Sequence, residues 1–314
     1  MTHVATHPLL TTFQRLVSEN TIFRQDEPLA RRTTLRVGGT AEFYCEPANE
    51  PELSRLLEFT QNSDIPFMLL GRGSNLLIRD GGIPGLVICL SQPDFSRITI
   101  DGQTLSCGAG ARLKHVAVEA RRQGLAGLEF LEGIPGSVGG ALRMNAGAMG
   151  GAMLAVTQSI RYMTLGGETH NLPAAEIPSN YRHCPFFETH VALAATLNTH
   201  SDTSEAIERR MKEGSEKRWK SQPAAPSAGC IFKNSTTIPS GKLIEELGLK
   251  GKRIGGAAVS DVHGNFIVNE NQATAQDVLA LIEFIQQKAL TERGILLETE
   301  VQIVGVNKSL LSGS

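Results

Sequence analysis

Residues 133–140 read Gly133-Ile134-Pro135-Gly136-Ser137-Val138-Gly139-Gly140, and residues 71–75 read Gly71-Arg72-Gly73-Ser74-Asn75. Glycines let backbone N–H groups converge on an anion at close range, because no Cβ atom keeps the ligand away. The side chains of Ser74, Asn75 and Ser137 can donate further hydrogen bonds. We therefore predict that both loops contact a phosphate-containing ligand, although either loop taken alone is equally well explained as a tight turn.

Neither loop fits the common nucleotide-binding motifs. The first loop approaches a GxGxxG pattern, but its sixth position is Leu76 and the residues that follow are strand-like. The dinucleotide-binding motif requires a helix there. The sequence also contains no GxxxxGK[ST] phosphate loop. We therefore expect the phosphate-containing ligand to bind to a fold other than the dinucleotide-binding fold or the phosphate-loop fold.

Around these loops, short apolar runs alternate with amphipathic segments. We predict strands at 40–45, 67–70, 76–78, 86–90, 98–100, 104–107, 159–164, 168–172, 191–197, 257–260, 265–268 and 296–304. We predict helices at 9–18, 51–61, 113–122, 204–219, 241–247 and 275–293. Asp101-Gly102 predicts a type I′ hairpin turn. The order of these elements predicts an α+β chain, with a boundary at the proline-rich residues 222–226.

The composition excludes several classes of protein. The 314 residues favour two or three domains, and 41% hydrophobic with 20% charged residues is typical of a soluble globular enzyme. A formal net charge of -2 provides no basic field for nucleic acid. The five cysteines are odd in number and include no CxxC pair, so we expect neither a disulfide framework nor a metal site. The first twenty residues lack a long apolar run, so we expect a cytoplasmic protein with no membrane partner.

Further motifs accompany the two loops in a fixed order, from about residue 33 to residue 305. They are 34–39 (TLRVGG), 145–148 (NAGA), 181–182 (YR), 229–234 (GCIFKN), 241–244 (GKLI) and 297–301 (LETEV). Together they resemble the UDP-N-acetylenolpyruvoylglucosamine reductase family, a group of enzymes in bacterial cell-wall synthesis. The direct path from residue 197 to residue 223 resembles the family's more compact type, which lacks an inserted subdomain.

The resemblance implies a vanillyl-alcohol-oxidase (PCMH-type) FAD-binding fold of two subdomains plus a smaller α/β substrate-binding domain. It implies residues 31–92 and 93–200 as the FAD-binding subdomains and 201–305 as the substrate domain. Residues 1–30 would form an N-terminal helix and lead-in, and 306–314 a C-terminal tail. It also implies non-covalent FAD, NADPH as hydride donor and a UDP-sugar enolpyruvyl ether as substrate, whose double bond is reduced. We expect a monomer.

The same resemblance implies the residues that contact FAD. They are Arg36, Gly38, Gly39, Gly71, Arg72, Gly73, Ser74, Asn75, Leu76, Gly133, Ile134, Pro135, Gly136, Ser137, Gly139, Gly140, Asn145, Ala146 and Gly147. For the substrate it implies Tyr181, Arg182, Arg218, Lys233 and Asn234, and the solvated end of a helix is an equally good explanation for Arg218.

The chemistry requires a cation, an acid and a carboxyl group. Arg182 matches the family's Tyr-Arg pair, and a planar guanidinium suits a carboxylate on which charge develops. Cys230 stands where many family members carry a serine proton donor. A thiol, with an ordinary pKa of about 8.5, is a better acid than an alcohol. Glu300 matches the catalytic glutamate, and Glu298 is its rival because it lies two residues away on the same predicted strand.

Two other functions remain open at this point. One is a different oxidase or reductase with the same fold. Many such oxidases bind FAD covalently through a histidine in the first glycine loop, but residues 71–75 contain neither histidine nor cysteine, which excludes a covalent link there. The other is a non-catalytic nucleotide-binding module, which would have no need for Arg182, Cys230 and Glu300 together.

Overall fold

The computed structural model describes residues 8–308. Residues 1–7 of the predicted lead-in and 309–314 of the predicted tail lie outside the described residues. The chain divides into two compact units. Unit 1 comprises Met1–Asp26, Phe43–Gly71 and Gly85–Ser215, and unit 2 comprises Glu27–Glu42, Arg72–Pro84 and Glu216–Ser314. The predicted domain boundaries follow a different criterion, family resemblance, and stay a prediction.

The helices and strands come in mixed order along the described residues. The helices are α1 (Pro8–Leu16), α2 (Glu50–Asn62), α3 (Pro93–Ser96), α4 (Leu113–Arg122), α5 (Val138–Arg143), α6 (Met153–Val156), α7 (Ser204–Ser221), α8 (Ser240–Glu246) and α9 (Ala275–Arg293). The strands of the first half are β1 (Ile22–Pro28), β2 (Thr40–Glu46), β3 (Phe67–Leu69), β4 (Leu76–Ile78), β5 (Ile83–Ile88), β6 (Ile98–Asp101), β7 (Thr104–Gly108), β8 (Leu125–Ala126), β9 (Gly147–Ala148) and β10 (Gly151–Ala152). The later strands are β11 (Thr157–Thr164), β12 (Thr169–Pro173), β13 (His190–Asn198), β14 (His200–Ser201), β15 (Ser227–Cys230), β16 (Arg253–Ile254), β17 (Ala257–Val259), β18 (Phe266–Asn269) and β19 (Gln302–Val304).

Unit 1 contains an antiparallel sheet with strand order β12-β11-β13-β7-β6. Helix α4 contributes to the same hydrophobic core as this sheet with the apolar face that Leu113, Val116, Ala117 and Ala120 form, all of them buried. This spacing of three and four residues is that of a helix with one buried face. A second sheet has the order β1-β2-β5-β3, and β3 pairs with β5 in parallel. Here Phe13 of α1 is fully buried against aromatic rings, so the N-terminal helix belongs to the core.

Unit 2 is built on a sheet with strand order β15-β18-β17-β16, and β19 pairs with β4 in parallel. Helix α9 packs the buried side chains of Val278, Leu281 and Ile285 into the core of this unit. Its ends were predicted correctly because their signals are local. Thr274 and Asp277 form a capping box at its start, and Gly294 ends it with a left-handed φ of 63°.

Several details of the predicted elements are wrong, and the strand β1 and the short helices α3, α5 and α6 have no counterpart in the prediction. The last strand spans only Gln302–Val304 instead of 296–304. Leu296 is 70% exposed, so the apolar run that suggested a strand is not buried along its length. In the first hairpin, Asp101 pairs with Thr104, so the loop is Gly102–Gln103. Gly102 has a positive φ and Gln103 does not, which excludes the predicted type I′ turn. No helix among residues 8–308 is long and apolar enough to cross a membrane.

Candidate functional site

The two glycine loops meet in unit 1. The second loop ends in α5, whose N-cap is Ser137, and the Ser137 hydroxyl accepts a hydrogen bond from the Gly140 N–H at 3.4 Å. A Cβ atom on Gly71 would lie 2.9 Å from Ser137 Oγ and 3.9 Å from Gly140 Cα. Gly71 of the first loop and the second loop therefore approach each other along backbone where the largest side chain is the hydroxymethyl group of Ser137. Such backbone leaves N–H groups accessible to an anion, so the arrangement fits a diphosphate.

The other predicted FAD residues of the first half lie in unit 2, where they are closely packed. A Cβ on Gly73, which has a φ of 60°, would lie 2.5 Å from the Arg32 carbonyl oxygen. A Cβ on Gly39 would lie 2.4 Å from the Asp80 carbonyl oxygen. Only glycine therefore fits at Gly39 and Gly73. The Thr34 N–H donates to the Gly73 carbonyl at 3.2 Å, which joins the 34–39 segment to the first loop.

The first loop also contacts the predicted catalytic glutamate. Asn75 Nδ2 donates to the backbone carbonyl of Glu300 at 3.1 Å, and the Gln302 N–H donates to the Asn75 carbonyl at 3.0 Å. Leu76 follows Asn75 as the first residue of β4 and pairs with Gln302. The structure thus brings together Asn75, which was predicted to contact FAD, and Glu300, which was predicted to be catalytic.

Cys230 and Glu300 lie on neighbouring backbone segments of unit 2. The Glu300 N–H donates to the Ile231 carbonyl at 2.8 Å. Cys230 is half-buried at the end of β15, just after Gly229, whose φ of 78° favours glycine and accompanies a shift in the strand register. The predicted acid and carboxyl group are therefore held by the same backbone pairing, although Glu300 is not in a regular strand.

Lys233 distinguishes the two candidate carboxylates. Its Nζ lies 3.1 Å from Glu298 Oε2, and the Glu298 side chain is 68% exposed. Glu300 is half-buried. Glu298 is thus one partner of a surface ion pair, which leaves Glu300 as the better candidate for a catalytic carboxyl group. Asn234, predicted to touch the substrate, is exposed, and its Oδ1 accepts the N–H of Ser240 at the start of α8 at 3.1 Å.

Arg182 occupies a strained turn in unit 1. Asn180 and His183 pair with each other across Tyr181 and Arg182, and Arg182 has a φ of 56°. The left-handed region at this turn position favours glycine or asparagine, so an arginine there indicates a functional constraint. The guanidinium carbon lies 4.9 Å from the centre of the Tyr181 ring, and Tyr181 itself is 60% exposed. The pair presents a cation and an aromatic ring at the surface of the unit.

The Arg182 turn is attached to the segment that follows the second glycine loop. Arg182 Nη2 donates to the Gly147 carbonyl at 3.1 Å, and the Cys184 N–H donates to the Arg143 carbonyl at the end of α5 at 3.1 Å. Burial raises the pKa of the Cys184 thiol, so this cysteine stays protonated, and its Sγ donates to the Pro178 carbonyl at 3.8 Å. Asn145 Oδ1 accepts the N–H of Leu154 at 3.1 Å and thereby fixes the same segment.

The remaining predicted residues are charged side chains at the surface of unit 2 and loop positions of unit 1. Arg36 and Arg72 are exposed, and Arg218 is half-buried in the last turns of α7. In unit 1, Pro135 is exposed, whereas Gly133 is buried. Among residues 8–308, no group of three or more His, Cys, Asp or Glu side chains is placed to bind a metal ion.

Sequence reasoning missed Asn265, which supports the Cys230 segment. Asn265 is 2% exposed, and its side chain accepts the Phe232 N–H at 2.9 Å and donates to the Phe232 carbonyl at 2.7 Å. Its backbone carbonyl accepts the Ile231 N–H at 2.9 Å. The sequence contains only a weak signal for this supporting role. An asparagine next to Gly264 suggests a turn, but not a buried side chain that hydrogen-bonds to the backbone of another segment.

This chain is similar to FAD-binding proteins and to one family of reductases. Residues 41–173 match the family model described as "FAD binding domain". The glycine-lined backbone at Gly71, Ser137 and Gly140 fits that match. The chain is therefore an FAD-binding protein, as the resemblance implied.

Residues 222–304 match the model described as "UDP-N-acetylenolpyruvoylglucosamine reductase, C-terminal domain". The protein named UDP-N-acetylenolpyruvoylglucosamine reductase from Levilactobacillus brevis is 42% identical over 90% of this chain and 92% of its own length. UDP-N-acetylenolpyruvoylglucosamine reductase 2 from Symbiobacterium thermophilum is 40% identical over 96% of this chain and 98% of its own. The crystal structure of the reductase from Thermus caldophilus matches with a TM-score of 0.78 and 38% identity, over 91% of this chain and 99% of that one.

The chain belongs to the UDP-N-acetylenolpyruvoylglucosamine reductase family and is an FAD-dependent oxidoreductase. The resemblance found in the sequence and the predicted α+β fold class are thereby confirmed. The roles of individual residues stay predictions.

Proposed function

We propose that this chain uses NADPH, through non-covalent FAD, to reduce UDP-N-acetylglucosamine enolpyruvate to UDP-N-acetylmuramate in the synthesis of peptidoglycan precursors. The observation that carries the proposal is the end-to-end similarity to reductases of this name, 42% identity over 90% of the chain. Arg182, Cys230 and Glu300 are proposed because the reaction needs a cation, a proton donor and a carboxyl group.

FAD would be held at its diphosphate by the backbone around Gly71, Ser137 and Gly140, which is free of side chains larger than a hydroxymethyl group. Arg36, Gly38, Gly39 and residues 72–76 are among the other residues that we propose contact FAD. When bound, FAD accepts a hydride from NADPH and delivers it to the methylene carbon of the enolpyruvyl ether.

Arg182 would bind the carboxylate of the enolpyruvyl group. Hydride addition to the methylene carbon leaves negative charge on the adjacent carbon and its carboxylate. A guanidinium presents two parallel N–H donors to a carboxylate and stabilises this charge as it develops. The strained backbone of Arg182, with a φ of 56°, supports a functional role for its orientation. Tyr181, Arg218, Lys233 and Asn234 would contribute contacts to the substrate.

Cys230 would donate the proton that completes the reduction, and Glu300 would polarise the carboxylate. A protonated thiol at pH 7 is a competent acid, and solvent would reprotonate the thiolate that its proton donation leaves. The support for pairing these two residues is that they lie on neighbouring backbone segments, since the Glu300 N–H donates to the carbonyl of Ile231 at 2.8 Å. We also propose that the protein works in the cytoplasm as a monomer.

A visible spectrum of the purified protein tests the proposal. We expect a flavin band that acid or heat releases into solution, that NADPH bleaches under anaerobic conditions, and that the enolpyruvyl UDP-sugar restores. A flavin that stays bound after denaturation would instead favour a covalent oxidase. A bleached band that recovers only with oxygen would favour another flavoenzyme of the same fold, and the absence of NADPH oxidation would favour a non-catalytic module.

A further inference from the structure

A strained hairpin lies beside the second glycine loop. Gly147 and Ala148 pair with Ala152 and Gly151, which leaves Met149 and Gly150 as a two-residue loop. Both loop residues have positive φ, 50° for Met149 and 84° for Gly150, as in a type I′ turn. Asparagine or glycine is the usual first residue of such a turn, because a long side chain destabilises the left-handed conformation. A methionine there indicates that contacts of its side chain outside the turn offset the cost of the left-handed backbone.

The Met149 side chain reaches two glycines outside the hairpin. A Cβ on Gly214, in the interior of α7, would lie 2.6 Å from Met149 Sδ and 2.8 Å from Met149 Cε. A Cβ on Gly133, the first residue of the second glycine loop, would lie 3.4 Å from Met149 Cε. Glycine weakens a helix interior. Its presence at Gly214 is explained because the thioether occupies the space of a larger side chain.

The other end of the hairpin carries Arg182. Arg182 Nη2 donates to the Gly147 carbonyl at 3.1 Å, and a Cβ on Gly147 would lie 3.2 Å from Arg182 Nη1. The hairpin also packs on the 3-10 turn before the second glycine loop, since a Cβ on Gly151 would lie 2.7 Å from a ring carbon of Phe130. One small element of unit 1 thus contacts the glycine loop, helix α7 and the guanidinium.

We propose that Met149 is a positioning residue for Arg182. By packing against Gly133 and Gly214, its thioether fixes the hairpin, and the Gly147 carbonyl then fixes the direction of the Arg182 guanidinium. The inference rests on the proposed function, in which Arg182 binds the substrate carboxylate. It assigns Met149 an effect on substrate reduction and none on the reduction of the flavin by NADPH.

Met149→Asn tests the proposal, because asparagine suits the first position of a type I′ turn while the thioether is lost. We expect the melting temperature and the rate of flavin bleaching by NADPH to stay unchanged, and the KM for the enolpyruvyl UDP-sugar to rise about tenfold, the size of effect expected from a small misplacement of a binding group. Gln272→Asn is the matched control, since Gln272 is also exposed and has a φ of 51°. An unchanged KM in Met149→Asn would overturn the proposal.

A double-mutant cycle shows whether Met149 acts through Arg182. In an Arg182→Lys background the guanidinium fork is already absent, so Met149→Asn should raise the KM no further. If the two effects multiplied, Met149 would act independently of Arg182 and the proposal would be overturned. Should Met149→Asn fail to retain flavin, Gly214→Ala provides the same test, because its Cβ displaces the thioether while favouring the helix.

The two proposals fail in different ways. If Arg182→Lys left the kinetics of substrate reduction unchanged, the role of Arg182 in the proposed function would be wrong, and so would positioning through it. If Arg182→Lys impaired substrate reduction while both Met149→Asn and Gly214→Ala left the KM unchanged, only the positioning role of Met149 would be wrong.

Discussion

Asn75 and Glu300 lie 225 positions apart in the chain, yet the Asn75 side-chain amide donates to the Glu300 backbone carbonyl at 3.1 Å. The first glycine loop therefore supports the segment that carries the proposed catalytic carboxyl group. The neighbouring Glu300 N–H donates to Ile231, the residue after Cys230. Hydrogen bonds to backbone groups thus connect Asn75 of the loop with the segment that carries Glu300, and that segment with the one that carries Cys230.

The two glutamates of the 298–300 segment should differ in their importance for turnover. Glu298 forms an exposed ion pair with Lys233, whereas Glu300 is half-buried. We expect Glu300→Gln to lower kcat for substrate reduction about 100-fold, as loss of a catalytic carboxyl group does. Glu298→Gln should change it by no more than about twofold, because exposed ion pairs contribute little. Steady-state kinetics of both variants measure this, and the reverse order would make Glu298 the catalytic residue.

Cys230 should be replaceable by serine but not by alanine. A hydroxyl retains a transferable proton at the same position, whereas a methyl group does not. We expect Cys230→Ser to keep substantial activity and Cys230→Ala to lose roughly 100- to 10,000-fold in substrate reduction, the usual contribution of a general acid. Both variants should still show anaerobic bleaching of the flavin by NADPH. Wild-type turnover in Cys230→Ala would exclude the thiol as the proton donor.

Gly71 should be required for flavin affinity. Alanine there would place a Cβ 2.9 Å from Ser137 Oγ, at the point where the two glycine loops meet. We expect Gly71→Ala to weaken FAD binding by about tenfold or more, because the backbone that faces the diphosphate is displaced. Fluorescence titration of the flavin measures the affinity. Gly166→Ala is the control, since its Cβ would come no nearer than 3.7 Å to Thr164 Oγ1, and equal FAD affinities of the two variants would contradict the prediction.

Asn265 should contribute to stability and, through the Cys230 segment, to activity. Its side chain satisfies both backbone groups of Phe232, a residue that is 1% exposed. Asn265→Ala would leave a buried N–H and a buried carbonyl unpaired, at a cost on the order of 2–4 kcal/mol in the free energy of unfolding. Chemical denaturation of the variant measures this. The exposed Asn271→Ala serves as control, and equal stability of both variants would show that Asn265 is dispensable.

Glu52 should make the stability of unit 1 depend on pH. Burial acts to raise the pKa of this carboxyl group, but hydrogen bonds from Thr21, Ser18 and Ala48 outweigh it, and the pKa lies below the usual glutamate value. A lowered pKa in the folded state stabilises the fold above the unfolded pKa of about 4.3, and this contribution is lost as the pH falls through the folded value.

We therefore expect Glu52→Gln to be less stable than the parent protein at pH 7, by about 1.5–3 kcal/mol, the usual contribution of a hydrogen bond to a charged group. The difference should shrink as the pH is lowered below about 4.3. Melting temperatures of both proteins between pH 7 and pH 3 measure it. A difference that stays constant over this range would mean that the charge of Glu52 plays no part.

The sequence by itself determined the six longer helices, most of the strands and the family, but not the short helices α3, α5 and α6. Helix α9 begins and ends where predicted because Thr274, Asp277 and Gly294 act within one turn of its ends. The family could be identified from short motifs. The residues of these motifs are restricted by the backbone conformation and by contact with the ligand, so the motifs occur in the sequence in a fixed order. These signals are local, and they do not depend on which segments meet.

Only the tertiary structure shows which of these segments contact each other. Residues 296–301 have the composition of a strand, yet the regular strand begins only at Gln302, because an isolated bridge between Phe232 and Thr299 replaces a ladder. Lys233 separated Glu298 from Glu300 through a contact between residues 65 positions apart. Met149 likewise contacts Gly214, which is 65 positions away in the chain, and Gly133, which is 16 positions away. Such contacts depend on packing between segments, which local propensity does not encode, and so only the folded chain shows them.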